Sequence, residues 1–173
     1  MLVCLQAIDT PEERTRFEEI YLAYRGLMFH VAYNILKQEQ DAEDVVHQSF
    51  LKLAEHMELV PEGPGPRTRT LVATIAEHKA IDLYRAKQRH GGVDLDTLSL
   101  GREQEQPADS SLPAAMAALP PRYREVLLLR YYNGYSNGEI AAFLSTTPAN
   151  VGQLLHRARE KLADMLREQE VQK

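Results

Sequence analysis

Between Thr147 and Arg159 the sequence TPANVGQLLHRAR sets small and polar side chains at a spacing that suits the edge of a base pair. At about 100° per residue, Ala149, Gln153, His156 and Glu160 share one face, with Asn150 and Arg157 on one flank and Gly152 and Arg159 on the other. Asn and Gln amides can pair bidentately with adenine, Arg can pair with guanine or hold phosphate, and Ala149 allows close approach. The opposite face is apolar. Val151, Leu155, Ala158, Leu162 and Met165 recur at spacings of four, three, four and three, the period of a buried helical stripe. Such a helix either enters a major groove or forms half of a helical hairpin with a solvated polar face.

The preceding residues would position it. Ser136 with Glu139 three residues on forms a capping box, which starts a short helix whose apolar positions are Ile140, Ala141 and Leu144. Ser145-Thr146-Thr147 stops that helix. Thr147 then caps the next, with Pro148 at its first position, where a missing donor is harmless. The unit reads as a helix-turn-helix.

A second group of polar side chains lies near the start of the chain. In DAEDVVHQSFLKLAEHM, Ala42, Val46, Phe50 and Leu53 form the expected inward stripe, and Asp41 is the expected cap. Asp44, Gln48 and Leu51 lie opposite, with His47 alongside. An exposed leucine between polar groups suits a protein contact, although single exposed leucines are common. A long helix precedes this one, from Pro11 to Lys37, with Phe17, Ile20, Tyr21, Tyr24, Leu27, Met28, Val31, Ile35 and Leu36 at helical spacing. After it, VPEGPGPR (60–67) predicts a loop. TRTLVATIAEHKAIDLYRAKQRH then resumes a helix through Leu71, Val72, Ile75, Ala76, Ala80, Ile81 and Tyr84. Lys79, Arg85, Lys87 and Arg89 collect at its far end, where they either meet phosphate or complement the helix dipole. His78 and Asp82 are four apart, but a metal site needs more ligands than two.

Residues 93–111 are acidic, Gln-rich and aperiodic, which predicts a flexible linker. A helical pattern resumes near Leu112. Pro120-Pro121 breaks it and starts YREVLLLRYY, which ends at Asn133-Gly134, a C-cap and turn.

Composition narrows the function classes. The net charge of −5 is unevenly spread: −6 over residues 1–60, +3 over 61–92, −4 over 93–120 and +2 over 121–173. Both positive segments are candidates for DNA. One cysteine excludes an internal disulfide, and the six histidines form no zinc-spaced cluster, so neither metal nor cofactor is expected. No Gly-rich phosphate loop or nucleophile-base set supports an enzyme. The opening MLVCLQAI is too short for a signal core and no later run predicts a membrane insertion, so a cytoplasmic protein is expected.

The segment LPPRYREVLLLRYYNGYSNGEIAAFLSTTPANVGQLLHRAREKL resembles the promoter-binding fourth region of the extracytoplasmic-function group of bacterial RNA polymerase sigma factors. FEEIYLAYRGLMFHVAYNIL with DAEDVVHQSFLKL is similar to the helices of that family that dock on the polymerase clamp, and TIAEHKAIDLYR to its segment for the promoter element near minus ten. The resemblance implies an all-α fold of two small helical domains, 1–92 and 112–173, joined by the linker 93–111. It implies core polymerase and promoter DNA as partners, with an inhibitory anti-sigma factor as a further one. Asp44, His47, Gln48 and Leu51 would meet polymerase. His78, Lys79, Arg85, Lys87 and Arg89 would meet the minus-ten element, and Thr147, Ala149, Asn150, Gln153, His156, Arg157 and Arg159 the minus-thirty-five element. The chain departs from the family in having no tryptophan at Ala54 or Leu71, and Gly152-Gln153-Leu154 where a basic-polar-basic run is common. The rival expectation is a stand-alone helix-turn-helix regulator with a sensing first domain.

Overall fold

A computed structural model describes residues 6–91 and 112–171, and among them the only regular structure is helical. The described residues divide into two compact units, 6–91 with 142–144 in the first and 112–141 with 145–171 in the second. The linker expected at 93–111 lies outside the described residues.

The first unit is built on α1 (Pro11–Leu36), α2 (Glu39–Ala54) and α3 (Pro66–Gly91), with α1 packed against both others. The Thr10 hydroxyl caps α1 by accepting from Glu13 N at 3.2 Å, and Pro11 occupies the first turn. Phe17, Ile20, Tyr24, Met28, Ala32 and Leu36 are buried along one stripe. Phe17 meets Phe50 of α2 edge-on at 5.8 Å, and Tyr21 lies 4.7 Å from the same ring. α1 ends at Lys37, whose backbone is left-handed (φ 56°).

Three local expectations need correction. Asp41 does not cap α2, because the helix starts at Glu39 after Gln38, and Asp41 lies in its first turn. The buried stripe of α2 passes through Val45 and not Val46, with Ala42, Ser49, Phe50, Leu53 and Ala54. Ser49 can sit inside because its hydroxyl donates to the Val45 carbonyl at 2.6 Å. The loop ends sooner than expected, since Pro66 and Arg67 already belong to α3 and a proline in the first helical turn loses no intrahelical bond. Tyr24 fastens that loop to α1: its hydroxyl donates to the Gly65 carbonyl (3.0 Å) and accepts from the Gly65 N–H (2.8 Å).

The second unit is built on α4 (Leu112–Ala118), α5 (Pro121–Leu127), a π turn over Leu128–Tyr132, the greater part of α6 (Asn137–Leu144) and α7 (Pro148–Val171). Buried Arg124 donates to the Ala117 carbonyl at 2.9 Å and the Leu119 carbonyl at 3.4 Å, which satisfies acceptors at the end of α4. The capping box forms as expected: Glu139 N donates to Ser136 Oγ (3.2 Å) and Ser136 N to Glu139 Oε2 (2.6 Å). Ser145 ends α6 in a left-handed conformation (φ 52°), and three residues later α7 begins. Val151, Leu155 and Ala158 are buried on α7, and Leu162 and Met165 are half-buried.

Candidate nucleic-acid interface and docking face

The entry of α7 is organised by two hydroxyls. Thr147 Oγ1 accepts from Asn150 N at 3.2 Å, and Asn150 Nδ2 donates to Thr146 Oγ1 at 2.8 Å. With one amide hydrogen so held, Asn150 keeps its side-chain oxygen and its second amide hydrogen, the two groups that a bidentate adenine contact uses. Ala149, Gln153, His156, Arg157 and Arg159 are all exposed. His156 Nε2 lies 3.5 Å from Glu160 Oε1, and Arg159 Nη1 donates to the Tyr131 hydroxyl at 3.4 Å. Gln153 and Arg157 carry no side-chain hydrogen bond or ion pair among the described residues. They are therefore the side chains of this face with all their polar atoms available. Gly152 has room for a methyl group, since a Cβ there would lie 3.5 Å from Asn137 Nδ2.

The basic end of α3 is arranged differently. At about 100° per residue, His78, Asp82, Arg85 and Arg89 form one stripe, and Lys79 and Lys87 fall away from it. His78 Nε2 pairs with Asp82 Oδ2 at 3.3 Å. Lys79 is half-buried, and burial, assisted by the like charge of Lys52, lowers its pKa below the ordinary 10.5. Lys87 forms an ion pair with Asp41 of α2. Arg85 is half-buried and Arg89 exposed.

On α2, Asp44, His47 and Gln48 are exposed. Leu51 is half-buried, which corrects the expectation of an exposed leucine. Val46, displaced from the core stripe, lines a cleft of about 440 Å³ with Glu43, His47 and Phe50 of α2 and Tyr21, Arg25, Gly26 and Phe29 of α1. This cleft adjoins the Asp44–Gln48 face through His47. Sequence reasoning missed it, because its walls come from two helices and only their packing brings them together.

Among the described residues no group of three or more His, Cys, Asp or Glu could hold a metal ion, and no helix is long and apolar enough to cross a membrane.

Residues 20–90 match the family described as Sigma-70 region 2, and residues 110–162 match Sigma-70, region 4. The chain is 26% identical over 163 residues to the ECF RNA polymerase sigma factor SigL of Mycobacterium tuberculosis, covering 90% of this chain and 92% of that protein. It is 29% identical over 134 residues to the RNA polymerase sigma factor SigV of Bacillus subtilis (75% and 78% covered). Against the ECF RNA polymerase sigma factor SigW of Bacillus subtilis the identity is 24% over 173 residues (90% and 91%).

Proposed function

We propose how this chain, which belongs to the extracytoplasmic-function group of RNA polymerase sigma factors, divides its work between its two units. As a sigma factor it binds core RNA polymerase and directs promoter-specific initiation. In our reading, residues 1–92 dock on polymerase through Asp44, His47 and Gln48, with Leu51 at the edge of the contact. The stripe His78, Arg85 and Arg89 then meets the opened promoter near minus ten. There unpairing costs a few kcal/mol, which binding to the displaced bases offsets. Residues 112–173 set α7 in the major groove near minus thirty-five, with Gln153 and Arg157 at base edges and Arg159 at phosphate.

The single observation that carries this reading is the pairing of two family matches in one chain, residues 20–90 and 110–162. A stand-alone regulator needs the second match and has no use for the first. Phosphodiester chemistry belongs to the polymerase and recognition to this chain. We place the protein in the cytoplasm, beside the polymerase, where an anti-sigma factor would compete for the same faces.

The docking assignment is tested with Asp44→Arg combined with Gln48→Ala, both exposed positions, in preference to half-buried Leu51. Loss of a central interface contact reduces affinity by about two orders of magnitude. The double variant should lose core polymerase in a pull-down while its melting temperature stays within about 2 °C of the parent. Retained binding by the folded variant refutes the assignment.

A further inference from the structure

At the end of α5 the backbone changes its hydrogen-bonding step. Asn133 N donates to the Leu128 carbonyl at 3.0 Å, a closure over five residues, and Tyr135 N donates to the Leu129 carbonyl at 3.0 Å. Such closures turn the side chains that follow about the helix axis relative to an α-helix, and they are frequent at functional sites. The turn is braced: Arg130 Nη1 donates to the Tyr135 carbonyl at 2.9 Å, and Gly134 supplies the positive φ of 83°. On this firm turn stands Tyr131, 62% exposed. Nothing in the core calls for a large aromatic residue there.

Tyr131 makes a polar contact with α7. Its hydroxyl oxygen accepts from Arg159 Nη1 at 3.4 Å, across 28 residues of chain. Accepting from a guanidinium leaves the phenolic proton to be given elsewhere, and no acceptor for it is found among the described residues. Tyr131 and Arg159 thus offer donors side by side, one neutral and one cationic, on the flank of the reading face of α7. Tyrosine hydroxyls and arginines are both regular donors to DNA phosphate oxygens.

We propose that Tyr131 is a phosphate-contacting residue of the DNA interface, which holds Arg159 in place and donates its own hydroxyl proton to the phosphate that Arg159 neutralises. This rests on the reading that sets α7 in the major groove. The DNA surface then extends beyond the helix-turn-helix onto the π turn. Because an arginine held before binding loses less conformational freedom on binding, the pair outperforms two separate contacts. Its contribution is blind to base sequence.

The test uses polymerase holoenzyme reconstituted with the full chain, titrated onto promoter fragments that it selects from genomic DNA, at several salt concentrations. Tyr131→Phe, which removes only the hydroxyl, should weaken promoter binding about five-fold. It should do so equally on promoters with different minus-thirty-five sequences and leave the salt dependence unchanged. Arg159→Ala should weaken binding and reduce the slope of log K against log salt by about 0.9. In the Arg159→Ala background, Tyr131→Phe should cost less than about two-fold, because the two act as a unit. Parental affinity of Tyr131→Phe, or losses that simply multiply, would overturn the proposal. So would a Tyr131→Phe defect in binding core polymerase before DNA is added, which would assign the residue to a protein contact. If Arg159→Ala itself has no effect, the seating of α7 on DNA fails and takes the proposal with it. An effect of Arg159→Ala without one of Tyr131→Phe defeats the proposal alone.

Discussion

The basic end of α3 and the outward face of α7 offer similar side chains, but the folded chain treats them in different ways. On α3, Lys87 is drawn to Asp41 of α2, Lys79 is half-buried near Lys52 and Glu55, and His78 pairs with Asp82. On α7, Gln153 and Arg157 project without a protein partner among the described residues, and Arg159 is held by an exposed tyrosine hydroxyl. A charge tied to a neighbouring helix contributes to packing and must be released before it can meet phosphate. A charge on an unpartnered face is ready for a ligand. Lys79 and Lys87 are therefore engaged within the first unit, whereas Gln153 and Arg157 keep their polar atoms available on α7.

The sharpest way to break this contrast is a pair of alanine variants in a reconstituted transcription assay. Arg157→Ala should reduce output from promoters with a matching minus-thirty-five sequence by about ten-fold, since one bidentate base contact is worth about 1–3 kcal/mol. Lys87→Ala should change output by less than about two-fold and instead lower the stability of the first unit by up to about 1 kcal/mol, the range for an ion pair with one exposed partner. If Lys87→Ala were the more damaging of the two for promoter binding, the contrast would be reversed.

A smaller effect concerns the support beneath the reading helix. Ser136→Ala removes the capping hydroxyl of α6 and should cost about 1 kcal/mol of stability in urea titration. The backbone N–H and hydroxyl of Ser136 hold the Glu139 carboxyl below its ordinary 4.5. A carboxyl depressed in the folded state stabilises fully above its unfolded value near 4.5 and loses that contribution as pH falls through the folded value. The deficit of Ser136→Ala should therefore shrink in acid. A deficit that grows as pH falls below 4 would mean that the capping box is not the source.

The smallest change is expected at Gly152. A methyl group there meets Asn137 Nδ2 at an ordinary 3.5 Å, so Gly152→Ala should raise stability by about 0.5–1 kcal/mol through helix propensity. Destabilisation would show that the closeness of α6 and α7 depends on glycine at this position.

Much of this was legible in the sequence, for reasons that differ by residue. The stripes Phe17–Leu36 and Val151–Ala158 follow directly from helical period, and Ser136, Glu139, Thr147 and Pro148 form a local pattern whose chemistry acts within four residues. On α2 the helical period marks Ala42, Phe50 and Leu53, which are buried, but Val46 in place of Val45. Ser49 looks polar to any periodicity argument, and only its bond to the Val45 carbonyl explains its burial. The Tyr24–Gly65 clamp and the Asp41–Lys87 pair join residues 41 and 46 apart, and no local pattern encodes such contacts. The π turn was invisible for another reason: LLRYY reads as ordinary helix, and the extra residue in its closure carries no sequence signature. The face of α7 could be named in advance, but not which of its side chains already had partners.

The central expectation is that this chain recognises promoters as part of polymerase and not alone. Fluorescent promoter duplex should be titrated at physiological salt with the free chain and with the chain bound to core polymerase. The second unit has a net charge of only +2 over residues 121–173, and few phosphate contacts give weak binding. Joined to polymerase, two weak contacts become one intramolecular pair at high effective concentration. Weak, poorly discriminating binding by the free chain and tight, sequence-specific binding by the holoenzyme are expected. Tight, specific binding by the free chain, unchanged by polymerase, would contradict this expectation.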